Sequence, residues 1–183
     1  GWKELQGVAD RGTFDLTQHE KFSKSDLKIM DDASGKKLLP MVVAEPSLGV
    51  ERAFLVFMFD AYSVGEKGNV VLRLNPKLAP VKVAIFPLVK KDKKLVGQAR
   101  EIYEGLRQEW NVVYDESGSV GRRYARNDEV GTPFCITVDS DSGKKKDVTI
   151  RNRDDGEQKR VKVKDLRDVV RRLVSGEVGF GEL

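Results

Sequence analysis

The stretch Glu45-Pro46-Ser47-Leu48-Gly49-Val50-Glu51-Arg52 gathers carboxylates, a hydroxyl and a guanidinium between a strand-like run, Leu38 to Ala44, and a strongly apolar helix. A carboxylate at a strand end can hold an amine, and a hydroxyl two residues on can share the same cavity. An arginine in the first helical turns can pair with phosphate or stack on a base. The same residues also suit a plain helix start, with Ser47 as N-cap and Glu51 and Arg52 solvated. Ahead of them, Ala9-Asp10-Arg11-Gly12-Thr13-Phe14-Asp15 can aim Arg11 at an anion or form a charged turn, with Glu4 on the presumed strand before it. His19, the only histidine, sits among Gln18, Glu20 and Lys21 as a surface residue. Cys135 alternates with Phe134 and Ile136, which suits a core strand rather than a nucleophile.

A second group lies further on. Gly118-Ser119-Val120-Gly121-Arg122-Arg123-Tyr124-Ala125-Arg126 combines flexible glycines, three arginines and an aromatic ring. That composition suits a loop or helix end meeting a phosphate backbone or a splayed base. It lacks the lysine and spacing of a P-loop. Arg151, Arg153, Lys159, Arg160, Lys162 and Lys164 add positive charge, interrupted by Asp154, Asp155 and Glu157. They fit an electrostatic surface and a solvated strand edge equally well.

These groups need a scaffold, and the pattern supplies one for the later part of the chain. Val81 to Phe86 is strand-like and ends at Pro87. Leu95, Ala99, Ile102, Leu106 and Trp110 recur at helical spacing, and Val112 to Tyr114 makes a second strand. A helix follows within Ser117 to Gly131, then strands over Pro133 to Val138, Val148 to Arg151 and Gln158 to Val163. A last helix runs from about Val163 to Leu173. This order predicts an α/β fold, a mixed sheet flanked by helices over roughly 100 residues. Earlier in the chain, Gly1 to Ala9 is strand-like, helical turns are expected at Thr17 to Glu20 and Phe22 to Leu27, and Asp31 to Lys37 is expected as a polar loop. Val50, Ala53, Phe54, Phe57, Met58 and Ala61 form an apolar helix face with too few partners, as at the end of a larger domain.

The 183 residues divide at Asn75-Pro76-Lys77-Leu78-Ala79-Pro80, where two prolines favour an extended linker. Residues 1–78 carry 11 basic and 11 acidic residues, whereas 79–183 carry 22 and 18, which supplies the whole net charge of +4. One cysteine and one histidine exclude a disulfide framework and a multi-cysteine metal site, so no metal site is expected. No apolar run is long enough to span a membrane and no signal peptide is recognisable, so an intracellular, reduced, cytoplasmic protein is the expectation.

Collinear segments across nearly the whole chain resemble the C-terminal part of glycyl-tRNA synthetases of the dimeric class II type. The resemblance is carried by Gly1-Trp2-Lys3-Glu4, Ala9-Asp10-Arg11, Phe14-Asp15-Leu16, the stretch 45–52, Leu78-Ala79-Pro80-Val81-Lys82-Val83, and Pro87-Leu88. Most specific is the run from Asp115 through Gly118-Ser119-Val120-Gly121-Arg122-Arg123-Tyr124-Ala125-Arg126 to Phe134. Thr149 to Asp154 and Gln158-Lys159-Arg160 extend it.

The resemblance implies that residues 1–78 end a class II antiparallel-sheet catalytic domain and that 79–183 form an anticodon-binding domain. Segment 45–52 would be the third class-defining motif. Arg52 would lie against ATP, with Glu45 beside it in catalysis, and Glu4, Arg11, Glu45 and Ser47 would form the glycine pocket. Arg122, Arg123, Arg126, Arg151, Arg153 and Arg160 are the candidate tRNA contacts. The implied reaction joins glycine to ATP, with Mg²⁺, and transfers the glycyl group to tRNA(Gly), in a homodimer when full-length. The first two class motifs are absent and the connection between Arg11 and Glu45 is short, so the chain alone is expected to be inactive. Two other readings are a non-catalytic, synthetase-like accessory protein that binds tRNA, and a generic α/β domain. Retention of Glu45, Ser47 and Arg52 favours the enzyme.

Overall fold

In the computed structural model, which describes residues 1–65 and 68–183, the chain opens on strand β1 (Gln6–Ala9) and helix α1 (Phe14–Ser23). A hairpin of β2 (Ile29–Asp31) and β3 (Lys36–Leu38) follows, then strand β4 (Glu45–Leu48) and helix α2 (Val50–Ala61). β1 and β4 pair antiparallel, with Gly7 opposite Ser47 and Ala9 opposite Glu45.

Four local expectations change here. The first helical turn widens into helix α1, which takes in only Phe22 and Ser23 of the second and is closed by Lys24 in the left-handed region, so 24–27 are not helical. The expected polar loop at 31–37 is a hairpin turn. Asp31 accepts the Ser34 amide through its side chain and the Gly35 amide through its carbonyl, and Gly35 at φ +65° supplies the left-handed step. The expected strand over 38–44 is displaced to 45–48. Pro40 lacks a donor there, Leu38 ends β3 opposite Ile29, and beyond it only Val42 pairs, in a bridge to Gly12. Ser47, being a ladder residue, is not the helix cap. Gly49 precedes the helix and accepts the Ala53 amide.

The chain divides into two compact units, Gly1–Val56 and Phe57–Leu183. The second begins with the last turns of α2 and a hairpin of β5 (Tyr62–Val64) and β6 (Val70–Leu72). It continues through β7 (Val83–Pro87), α3 (Lys93–Leu106), β8 (Val112–Tyr114), α4 (Val120–Glu129) and β9 (Phe134–Val138). The short helix α5 (Ser142–Lys145), β10 (Asp147–Asn152), β11 (Gln158–Lys162) and α6 (Leu166–Ser175) complete it. The sheet runs β11-β10-β9-β7-β8, with β7 parallel to β8 and β9 and the other pairs antiparallel. This is the expected mixed sheet flanked by helices.

Period-two alternation divides the sheet's residues between its faces. Val83, Ile85, Phe134, Ile136, Val138, Val148 and Ile150 point to one side, where Leu95, Ala99, Ile102 and Leu106 of α3 and Leu166, Val170 and Leu173 of α6 cover them. Asp92 starts α3 by accepting the Lys94 and Leu95 amides. On the other side Ala84, Phe86 and Cys135 meet Val120 and Tyr124 of α4. Burial pushes the Cys135 thiol pKa up, which suppresses the thiolate.

The expected linker is not extended. Asn75 accepts the Leu78 and Ala79 amides, and the Lys82 ammonium donates to the carbonyls of Pro76, Lys77 and Ala79 at 2.8–2.9 Å. A compact turn results, with Ala79 buried against Ala61, Leu72 and Leu74.

Candidate functional site

The β1–β4 ribbon sets the first group. Glu45 and Ser47 are two apart on β4 and therefore share a face. A Cβ placed on Gly7 would lie 3.4 Å from Ser47 Oγ and 3.5 Å from Glu4 Oε1, so the hydroxyl and the carboxylate flank the space that glycine leaves open. At the other end of the ribbon Arg11 donates to Asp15 at 2.6 and 2.8 Å, and its Nε stands 3.1 Å from Glu45 Oε2. The bond from Arg11 holds the Asp15 carboxyl below its ordinary pKa. Arg52, in the first turn of α2, donates to the Glu4 carbonyl at 2.6 Å. The fold thus brings Glu4, Arg11, Glu45, Ser47 and Arg52 together from the ribbon and a helix start. Carboxylates beside a hydroxyl suit an ammonium ion, and the two arginines suit a carboxylate or phosphate. Gly7 was not legible as a member of this group, because its role rests on the strand register.

The second group lies on α4 and on the sheet face it partly covers. Arg122 is exposed and, among the described residues, makes no ion pair. Arg126 bridges Asp115 and the Ser117 carbonyl, the latter at 2.9 Å. Burial alone would raise the Asp115 pKa, but the bond and charge of Arg126 outweigh it and lower it. Arg151 grips Asp128 through two bonds of 2.8 and 3.0 Å and lies 4.7 Å from the centre of the Tyr124 ring. Arg160 joins Asp147, Asp139 and Thr149 on the open part of the same face.

Arg123 and Arg153 differ from the other candidates, and here the expectation needs correction. Arg123 is 2% exposed and donates to the carbonyls of Pro87 (2.6 Å) and Gly118 (2.9 Å). Arg153 is 3% exposed and donates to Gly131 O, Leu74 O and Asp154. Both guanidinium groups fix main chain inside the unit, where a phosphate backbone has no access to them. The sequence does not mark Asp115, Asp128, Asp139 and Asp147 as partners of Arg126, Arg151 and Arg160. They lie 11 to 23 residues from the arginines they hold, so no local pattern marks them.

Among the described residues, no three histidine, cysteine, aspartate or glutamate side chains are clustered to hold a metal ion, and no helix is long and apolar enough to cross a membrane.

Comparison with known proteins gives the following similarities. A family model described as "Anticodon binding domain" matches residues 82–173. The chain is 51% identical over 170 residues to a protein of Alkaliphilus oremlandii named glycine–tRNA ligase, covering 91% of the chain and 36% of that relative. A glycine–tRNA ligase of Acetivibrio thermocellus is 49% identical with the same coverage. One of Clostridium perfringens is 47% identical over 178 residues, covering 93% of the chain and 37% of the relative. The chain therefore spans little more than a third of the length of these curated relatives.

Proposed function

The chain belongs to the anticodon binding domain family, and from that premise we propose that it is the C-terminal part of a glycine–tRNA ligase. The division follows the resemblance: residues 1–78 end the catalytic domain and 79–183 bind the anticodon. The observation that carries the reading is the convergence of Glu4, Arg11, Glu45, Ser47 and Arg52 on one ribbon and helix start, in a chain that also carries the anticodon-binding fold.

In the intact enzyme, the carboxylates of Glu4 and Glu45 hold the glycine ammonium and Ser47 Oγ accepts one of its protons. Arg11, oriented by Asp15, meets the substrate carboxylate. Arg52 lies against ATP and balances phosphate charge as glycyl-adenylate and diphosphate form, so these residues act by positioning and electrostatics. Mg²⁺ would be held chiefly by the phosphates of ATP and would neutralise their charge. The glycyl group then passes to the 3′ end of tRNA(Gly).

On the anticodon-binding side Arg122, Arg126 and Arg160 meet the tRNA, with Arg126 and Arg160 exchanging a carboxylate for a phosphate. Arg151 stays with Asp128 as a support for Tyr124. The intact ligase is a cytoplasmic homodimer, and the 183-residue chain alone does not form glycyl-adenylate.

Glycine-dependent ATP–diphosphate exchange tests this. The intact protein exchanges and the isolated chain does not. Exchange by the isolated chain at the rate of the intact protein defeats the claim of dependence, and no exchange by the intact protein defeats the ligase reading.

A further inference from the structure

Two buried or part-buried cations hold one short stretch of main chain. Arg153 Nη2 donates to Leu74 O at 2.9 Å while its Nη1 donates to Gly131 O at 2.8 Å, so one side chain ties the second residue after β6 to the second residue after α4. Lys82 Nζ donates to three carbonyls of the same segment, those of Pro76, Lys77 and Ala79, and burial holds its pKa below the usual lysine value. An ammonium with three carbonyl acceptors has no free donor left. Asn111 Nδ2 adds a bond to Pro80 O, and Lys82 N donates to Asn111 O.

Packing closes the same seam. Gly131 has φ +83°, and a Cβ there would stand 3.1 Å from Leu72 O, so the end of α4 approaches β6 as closely as glycine allows. Leu72, Leu74 and Ala79 are buried with Ala61, the last residue of α2, and Arg73 N donates to Ala61 O at 2.6 Å.

We infer that residues 72–82 are a rigid joint, and that Arg153 and Lys82 are positioning residues that lock the β5–β6 hairpin and the last turn of α2 to the anticodon-binding fold. Two prolines near a charge boundary favour an extended linker. Here the carbonyls of that linker are bound by fixed cations. Resting on the ligase reading, the joint has a consequence for charging: tRNA held through α4 is held at a fixed geometry to the last turn of α2.

The joint itself is tested in the 183-residue chain by trypsin, which cuts after Arg73 and Lys77 inside it and after the exposed Lys90 and Lys91 outside it. Arg153→Met and Lys82→Met each raise cleavage after Lys77 at least tenfold with cleavage after Lys90 within twofold, and Arg153→Lys recovers part of the protection. No rise after Lys77, or an equal rise at both places, overturns the joint. Its consequence is tested in the intact protein with Lys82→Met and Gly131→Ala. Charging kcat falls at least tenfold, with the KM for tRNA and the rate of ATP–diphosphate exchange within twofold of the parent. Unchanged charging, or parallel loss of charging and exchange, overturns the positioning role. A parent protein without any exchange sinks the ligase reading instead, and the trypsin result still decides the joint.

Discussion

The pair Arg151–Asp128 anchors α4 to β10, and removing its carboxylate gives the sharpest stability prediction. Both side chains are largely buried, at 15% and 7% exposed, and two parallel bonds join them. Asp128→Ala leaves a guanidinium in a poorly solvated site beside the Tyr124 ring, without the carboxylate that held it. Breaking a buried pair from one side costs about 3–5 kcal/mol, and the residual exposure of Arg151 puts this case near 3. For a unit of this size that corresponds to a Tm lower by about 10 °C. Urea unfolding followed by circular dichroism reads it as a lower midpoint at an unchanged slope. Arg151→Met in the Asp128→Ala background removes the stranded charge and restores about half of the loss, so the two changes are far from additive. A loss under 1 kcal/mol for Asp128→Ala, or additivity of the two changes, refutes the view that this pair is a buried anchor.

Three further outcomes follow from the same geometry. The Asp115, Asp139 and Asp147 carboxyls all titrate below their ordinary value. For Asp115 and Asp139 burial acts upward but arginine bonds and charge prevail, and for Asp147 the bond from Arg160 leads. Depressed carboxylate pKa values stabilise fully above the unfolded value, about 3.9, and that stabilisation disappears as pH falls through the lower folded values. Urea midpoints from pH 7 to 2.5 should therefore fall steeply below about pH 4, and Asp147→Asn should flatten that fall. Charge reversal at Arg122 or Arg126 should weaken tRNA(Gly) binding at least tenfold more than reversal at Lys90 or Lys91, and Arg122→Ala should lower the salt slope by about one unit in filter binding. Equal losses at both places remove α4 from the contact surface. Gly7→Ala fills the space between Glu4 and Ser47, so the intact ligase should show a glycine KM raised at least tenfold with the ATP KM unchanged. An unaltered glycine KM takes Gly7 out of the pocket.

Periodicity carried most of the α/β fold. Leu95, Ala99, Ile102 and Leu106 are the buried face of α3, and Phe134 to Val138 is a buried strand, because each pattern is local and its hydrophobic load large. The β2–β3 hairpin was hidden because its strands are three residues long and mostly exposed. The joint at 72–82 was hidden for another reason: Arg153 reaches Leu74 across 79 residues. In the sequence Arg153 is one cation in a basic run, indistinguishable from Arg160, and only burial separates the arginine that holds main chain from the one that faces solvent. At the candidate pocket the residue types were visible, while their grouping depends on a register that sets Ser47 opposite Gly7 and Glu45 opposite Ala9.

The central claim is that the 183-residue chain is the anticodon-reading end of a glycine–tRNA ligase. The most direct measurement is the Kd of this chain, at one fixed salt concentration, for tRNA(Gly) and for the same tRNA with only its anticodon bases replaced. The chain should bind the parent tRNA and lose at least tenfold in affinity on replacement. Equal affinity for the two, or no binding of either, contradicts the claim.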